Sequence, residues 1–164
     1  MLSNQRNNVK NDAAVIQKMI LSVPYGACVE CRINGNSMEP TLKNGQRIHI
    51  ARVHAGSLCP GDVIAFVLPG RKRIIIHRII KHVVGQNELE IVTKGDANNQ
   101  DDPWIVNRSM ILGKATAVFV NGSWASINAL HDSFVKALFN KFRHVMMRYF
   151  FRHAVRTCQF FYKA

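Results

Sequence analysis

Long apolar runs are missing from the sequence. No window reaches the ~18 consecutive apolar residues that a membrane-spanning helix needs, so the sequence predicts no transmembrane segment. Cysteine is scarce as well, with four in 164 residues, which excludes a fold held together by disulfides. The first residues also lack the basic start, apolar stretch and small-residue cleavage site of a secretory signal peptide. We therefore expect a protein that is not secreted.

Acidic residues are few, and they are absent from the carboxy-terminal part. Ten Asp and Glu stand against 22 Lys and Arg, which gives a formal charge of +12. Residues 133–164 contain seven Lys and Arg, no acid, and nine of the fourteen aromatic residues. Because this composition differs from that of the preceding chain, residues 125–164 are predicted to form a separate basic tail.

Apolar residues make up 48% of the whole sequence, which is enough for the part before the tail to form one folded domain. Residues 1–27 are predicted to form a polar start followed by a short helix over 13–21, capped by Asp12. Residues 28–124 are predicted to form a mainly β, antiparallel domain, because apolar and polar residues alternate between turn formers. The expected strands lie near 29–33, 47–50, 63–68, 74–84, 89–93 and 110–120.

Helical periodicity returns at Ser133 and changes phase after Phe150, where a kink or break is predicted. Between these two residues, an apolar arc faces a basic one, and the tail is predicted to be amphipathic. Three interpretations fit this pattern: a helix packed on the body, a nucleic-acid contact, or a helix lying on an anionic membrane. The membrane surface is favoured, because apolar burial and charge attraction would add there. Nucleic acid is disfavoured, since neither a helix-turn-helix pattern nor a base-stacking platform is evident.

A serine at a turn is the first candidate for chemistry. Ser37 follows a predicted strand, in the segment Gly-Asn-Ser-Met-Glu-Pro-Thr at 35–41. A serine hydroxyl is a weak nucleophile until a base removes its proton. The candidate base is His77, which lies inside an apolar strand sequence where a polar ring needs a partner. The loop at 94–102 supplies carboxylates that can orient an imidazole by accepting its hydrogen bond.

Four blocks of sequence follow one another in a characteristic order. They are Gly-Asn-Ser-Met-Glu-Pro at 35–40, Pro-Gly-Asp-Val-Ile-Ala-Phe at 60–66, Ile-His-Arg-Ile-Ile at 76–80 and Lys-Gly-Asp-Ala-Asn-Asn-Gln-Asp-Asp at 94–102. In order and spacing they resemble the signal peptidase superfamily of serine proteases, in its endoplasmic-reticulum and archaeal type. That type uses His where the common bacterial enzymes use Lys. The resemblance covers roughly residues 28–120 and implies a signal-peptidase-like antiparallel β domain.

The resemblance also implies roles for single residues. Ser37 would be the nucleophile, His77 the general base and Asp102 the third member, with Asp96 a second acid near the site. Asp101 and Asp96 are the alternatives to Asp102. The family commonly has Ser-Gly before the nucleophile, whereas this chain has Gly-Asn, so the expected oxyanion donors are the backbone N–H of Ser37 and the side chain of Asn36. Neither a metal nor a cofactor is expected.

The implied function is a serine endopeptidase that hydrolyses a peptide bond in a leader or signal-like peptide, bound as an added strand. Its expected location is the cytoplasm or the cytoplasmic face of a membrane. Two alternatives remain. One is a non-enzymatic module on the same fold that binds membrane or nucleic acid. The other is a self-cleaving regulator resembling the SOS-response repressors, which the 36 residues before Ser37 disfavour. The oligomeric state is left open.

The Cys28-x-x-Cys31 pair invites a metal-site interpretation, with Cys59, His49 and His54 as further ligands. Residues i and i+3 of a strand face opposite sides, and no second pair of cysteines follows. We therefore expect ordinary reduced cysteines at these positions.

Overall fold

The computed structural model describes residues 13–84 and 89–129 of the chain. Helix α1 spans Ala13–Ser22, and short 3-10 helices lie at Ala55–Ser57 and Arg108–Met110. Residues 127–129, at the end of the described part, are also helical. The strands are β1 Cys28–Arg32, β2 Arg47–Ala51, β3 Val63–Val67, β4 Ile74–Val84, β5 Leu89–Lys94, β6 Ile105–Val106, β7 Ile111–Val120 and β8 Ser123–Ser126.

These strands form one antiparallel sheet in the order β1-β2-β7-β3-β4-β5-β6, with β8 paired to β7 beside this path. Strand β4 changes partner along its length: Ile74–Arg78 pairs with β3, and Arg78 onward pairs with β5 on the other edge. Over residues 74–77, the edge of β4 that faces away from β3 therefore carries no strand among the described residues. Strand β1 is the first strand of the sheet and, among the described strands, pairs with β2 alone.

The centre of the sheet is buried on both faces. Strand β3, with the sequence Val-Ile-Ala-Phe-Val, has four consecutive buried residues, as a continuous apolar run predicts. Strand β1 instead alternates exposed and buried residues, as expected for a strand with one face in the core. A cluster of buried apolar side chains joins β3 to β4, β5 and β6; its members are Leu58, Ile64, Phe66, Leu68, Ile79, Ile91 and Val106.

The predicted mainly β, antiparallel fold with a short amino-terminal helix is confirmed. The six expected strands correspond to β1–β5 and β7, whereas β6 and β8 were not predicted from the sequence. Strand β6 has two residues, too few for a periodic pattern. Strand β8 is mostly exposed and has no alternation, and it continues the sheet to Ser126, inside the segment assigned to the tail.

Helix α1 lies against the body through only part of its apolar arc. Ile20 is fully buried, whereas Val15 and Met19 are nearly half exposed. The Arg52 guanidinium fixes the end of the helix, because its Nη1 donates to the backbone oxygens of Leu21 and Val23, each at 2.8 Å.

Several sequence predictions fall outside the described residues. These are the Asp12 cap, the amphipathic helix from Ser133 with its break after Phe150, and its contact with an anionic membrane; they stay predictions. Within the described residues, no helix has the length and apolar content that crossing a bilayer requires.

Candidate active site

Ser37 lies on a tight turn that follows β1. Gly35 enters this turn with φ near 119°, a backbone angle that favours glycine. The side chains of Met38 and Leu42 are almost fully buried and anchor the turn to the core. The hydroxyl of Ser37 is thereby held at a fixed place while its residue stays partly exposed.

The side chains of Ser37, His77 and Asp102 form a linear chain of hydrogen bonds. The Oγ atom of Ser37 lies 3.0 Å from Nε2 of His77, and Nδ1 of the same ring lies 2.6 Å from Oδ2 of Asp102. The His77 and Asp102 side chains are 8% and 4% exposed. A buried, short contact between imidazole and carboxylate fixes the ring and its tautomer, because Nδ1–H donates and Nε2 is left to accept.

Asp102 is held by two further hydrogen bonds. The Thr93 hydroxyl donates to Oδ2 of Asp102 at 2.6 Å, and the backbone N–H of Asp102 donates to the Thr93 carbonyl at 2.8 Å. The same loop is tied to the turn that carries Ser37, because the Ala97 N–H donates to the Ser37 carbonyl at 2.9 Å. Thr93 and Ala97 were not singled out from the sequence, since a strand threonine and a loop alanine give no signal by themselves.

The second predicted acid, Asp96, has a different partner. Nε and Nη2 of Arg78 donate to its two carboxylate oxygens at 2.8 and 2.7 Å, and Nη1 donates to the Gly61 carbonyl at 2.7 Å. Both side chains of this pair are at most 10% exposed. The pair joins the residue after His77 to the acidic loop and to the turn before β3. Asp101 is exposed on the same loop, so of the three candidate acids Asp102 is the one in contact with His77.

Asn36, a predicted oxyanion donor, is exposed on the turn beside Ser37. Its carbonyl accepts a hydrogen bond from the Glu39 N–H at 3.1 Å, which closes the turn.

Gly95 is a site residue that the sequence did not single out, although it lies in the fourth block. A Cβ at this buried position would lie 2.5 Å from the Ser37 carbonyl oxygen and 3.1 Å from Nε2 of His77. Any larger residue must therefore move the turn that carries Ser37 or the imidazole of His77. The close approach of the acidic loop to both groups requires glycine here.

Replacing Gly95 with alanine should reduce catalysis by about a hundredfold or more, because small displacements of reacting groups cost that much. Gly56→Ala is the matched control, since a Cβ there meets nothing within 4 Å. Steady-state kinetics on both variants, with thermal melts to show that they fold, provide the measurement. Full activity in folded Gly95→Ala would contradict this packing argument.

A cleft of about 800 Å³ opens beside Ser37 and His77. One wall is the edge strand β1 with the turn after it, and the other is the start of β4, over the residues where one strand edge is unpaired. Its apolar lining includes Ile16, Ile33, Met38, Ile74, Ile75, Ile76 and Trp104. Within the described part of the chain, the cleft therefore has two unpaired strand edges and an apolar lining next to Ser37.

The three cysteines in the described part of the chain, Cys28, Cys31 and Cys59, are free thiols. Cys28 is exposed and Cys31 is buried on the opposite face of β1. Burial, with a smaller contribution from the neighbouring Glu30 carboxylate, raises the pKa of the Cys31 thiol to about 11. Although Cys31 lines the cleft, its thiol is therefore protonated at neutral pH and is no rival nucleophile.

The histidines proposed as further metal ligands have aromatic partners. His49 stacks on Trp124 at 3.6 Å between ring centroids, and His54 stacks on Tyr25 at 3.8 Å. Within residues 13–84 and 89–129, no group of three or more His, Cys, Asp and Glu could hold a metal ion.

Comparison with known proteins gives independent information on the family to which these residues point. The family model for signal peptidase, peptidase S26, matches residues 12–97, a range that contains Ser37, His77 and Asp96 and ends before Asp102. The signal peptidase complex catalytic subunit SEC11C of Homo sapiens is 33% identical over 67 residues, covering 40% of this chain and 35% of that protein.

Two further relatives are of the same kind. The signal peptidase complex catalytic subunit SEC11 of Plasmodium falciparum is 37% identical over 70 residues, covering 40% of this chain and 35% of that protein. The subunit sec11 of Schizosaccharomyces pombe is 40% identical over 42 residues, covering 26% and 22%. The chain thus spans between 22% and 35% of the length of these three relatives.

Proposed function

Because the chain belongs to the signal peptidase family, peptidase S26, we propose that it is a serine endopeptidase that cleaves a leader or signal-like peptide. The observation that carries this proposal is the continuous hydrogen-bond chain from Ser37 through His77 to Asp102. A hydroxyl, an imidazole and a buried carboxylate in this order supply a nucleophile, a base and a group that orients the base.

In the proposed reaction, Oγ of Ser37 attacks the carbonyl carbon of the scissile bond while Nε2 of His77 takes its proton. The imidazolium then gives this proton to the leaving amine, which releases the first product and leaves an acyl group on Ser37. Water, deprotonated by the same nitrogen, hydrolyses the ester and restores the serine. Asp102 accepts the Nδ1–H hydrogen bond throughout and stabilises the imidazolium.

The proposed oxyanion donors are the backbone N–H of Ser37 and the Asn36 side chain. Donors of this kind act where negative charge develops on the carbonyl oxygen. Asn36 is exposed on the turn beside Ser37, although the residues that line the cleft do not include it.

The substrate is proposed to bind as an extended strand. The cleft lies between the outer edge of β1 and the unpaired edge of β4 at residues 74–76, and both edges can form main-chain hydrogen bonds. A peptide between them would pass Ser37 and His77, which line the same cleft.

Incubation of the purified protein with a synthetic peptide library, followed by mass spectrometry of new termini, tests this function. We expect cleavage that EDTA does not inhibit. The variant Ser57→Ala, in which a control serine beside His54 is replaced, should retain this cleavage. Absence of any cleavage would favour the non-enzymatic alternative. Cleavage confined to the chain itself, at a rate independent of protein concentration, would favour the self-cleaving one.

A further inference from the structure

The cleft next to Ser37 has a charge of one sign. Among its described lining residues, four are basic, Arg32, Arg71, Lys72 and Arg73, and none is acidic. Three of these are consecutive and lie in the loop between β3 and β4, directly before the unpaired residues of β4. The positive charge therefore lies along the same walls that the proposed substrate strand would contact.

These charges are not neutralised within the described part of the protein. The ion pairs there join Arg47 to Glu30, Arg78 to Asp96 and Lys114 to Asp62, and none of them includes Arg32, Arg71, Lys72 or Arg73. Arg32 donates to the Gly45 carbonyl, and the Arg71 guanidinium lies 5.5 Å from the centre of the Trp104 ring. Neither contact removes the positive charge.

Like charges crowded in one place repel each other and are stabilised by an anionic partner. An apolar lining between two unpaired strand edges suits an extended peptide, whereas basic walls disfavour peptides with Lys or Arg at these positions. A peptide with Asp or Glu next to its apolar residues would satisfy both features of the cleft.

We propose that the cleft selects peptide segments carrying acidic side chains, through Arg71, Lys72 and Arg73 with Arg32. This inference rests on the proposed function for the statement that a peptide substrate occupies the cleft. It adds a substrate class to that function, namely an acidic and apolar segment beside the scissile bond.

The experiment measures binding, so that it does not depend on cleavage. Three fluorescent decapeptides, identical except for acidic, neutral or basic residues at two positions, are titrated against the full chain carrying Ser37→Ala, with fluorescence anisotropy as the readout. At low salt we expect the acidic peptide to bind about tenfold more tightly than the neutral one and the basic peptide more weakly still. The preference should shrink at high salt, because exposed charges are screened over roughly 8–10 Å at physiological ionic strength.

A charge-matched control separates the cleft from the general positive charge of the chain. Arg71→Gln, Lys72→Gln and Arg73→Gln together should abolish the acidic preference. The control variant carries Lys43→Gln, Lys81→Gln and Arg108→Gln, and it loses the same charge from exposed residues that do not line the cleft. This variant should retain the preference for the acidic peptide. All six residues are exposed, so both variants should fold. Equal behaviour of the two triple variants would overturn the proposal.

The outcomes also separate this inference from the proposed function. Library cleavage without enrichment of acidic residues near the cut would overturn the inference and leave the function intact. Absence of cleavage, together with acidic binding that depends on residues 71–73, would reject the function and support the charge selection. If residues 71–73 affect binding to anionic vesicles but not to acidic peptides, they contact a membrane and the proposal is wrong.

Discussion

Replacing Ser37 or His77 with alanine should lower kcat by about ten thousandfold or more, and replacing both should lower it little further. The reason lies in the 3.0 Å contact between Oγ of Ser37 and Nε2 of His77, since neither group can act without the other. Residues that act as a unit show strongly non-additive effects on rate, whereas independent contributions would multiply. Single and double variants are compared by steady-state kinetics on a peptide recovered from the library.

The control uses a chemistry that needs no substrate. In Ser37→Cys, the new thiol would lie beside His77, and an imidazolium next to a thiol stabilises the reactive thiolate. Iodoacetamide should alkylate it at neutral pH faster than the exposed Cys28 and Cys59, with rates followed at each residue by mass spectrometry. Adding His77→Ala should remove this advantage. Multiplicative losses in the kinetic cycle, or equal alkylation with and without His77, would show that the two residues do not cooperate.

Much of the fold could be predicted from the sequence because its strands have clear patterns. The alternation in β1 follows from one buried and one exposed face, and that in β2 from one buried and one half-buried face. The apolar run of β3 follows from burial on both faces. The patterns fail for β6 and β8. A pair as short as Ile105–Val106 has no period, and the exposed residues Ser123–Ser126 are held by pairing with β7 rather than by an apolar face.

The choice among the three acids of the loop could not be made from spacing alone. Asp96, Asp101 and Asp102 are all within a few residues of each other, so the path of the loop decides which of them reaches His77. Hydrogen bonds from Ala97 to Ser37 and from Asp102 to Thr93 direct the loop. Arg78 meanwhile engages Asp96 through two hydrogen bonds. These contacts join residues that are at least nine positions apart in the sequence, and no local pattern encodes them.

The cleft could not be predicted from local sequence patterns either. The predicted strands near 63–68 and 74–84 leave residues 69–73 as the connection between them, and the turn formers there suit a hairpin. This pattern does not explain why three consecutive residues of the connection are basic. Their role as cleft lining depends on how the sheet brings β1 and β4 to opposite sides of one opening. Trp104 joins them there from the segment before β6.

Three substitutions of similar size distinguish the roles of the three acids. Asp102→Asn should lower kcat by about a thousandfold or more with little change in stability, because an amide NH2 facing Nδ1 favours the tautomer with hydrogen on Nε2. That nitrogen could then no longer accept the proton of Ser37, although the geometry of the site would be retained. Asp101→Asn is the matched control on the same loop, and since Asp101 is exposed, both its activity and its melting temperature should match the wild type.

Asp96→Asn should instead act on stability. The Arg78–Asp96 pair is at most 10% exposed, and removing one partner leaves a buried guanidinium without its counter-charge, which typically costs about 3–5 kcal/mol. The melting temperature should fall clearly, and the activity that remains at low temperature should show a KM and kcat nearer to the wild type than those of Asp102→Asn. Thermal melts and steady-state kinetics on the three variants provide the measurement. If Asp102→Asn retains normal kcat while Asp96→Asn loses it without unfolding, then Asp96 rather than Asp102 serves His77 during catalysis, and the 2.6 Å contact between His77 and Asp102 is structural.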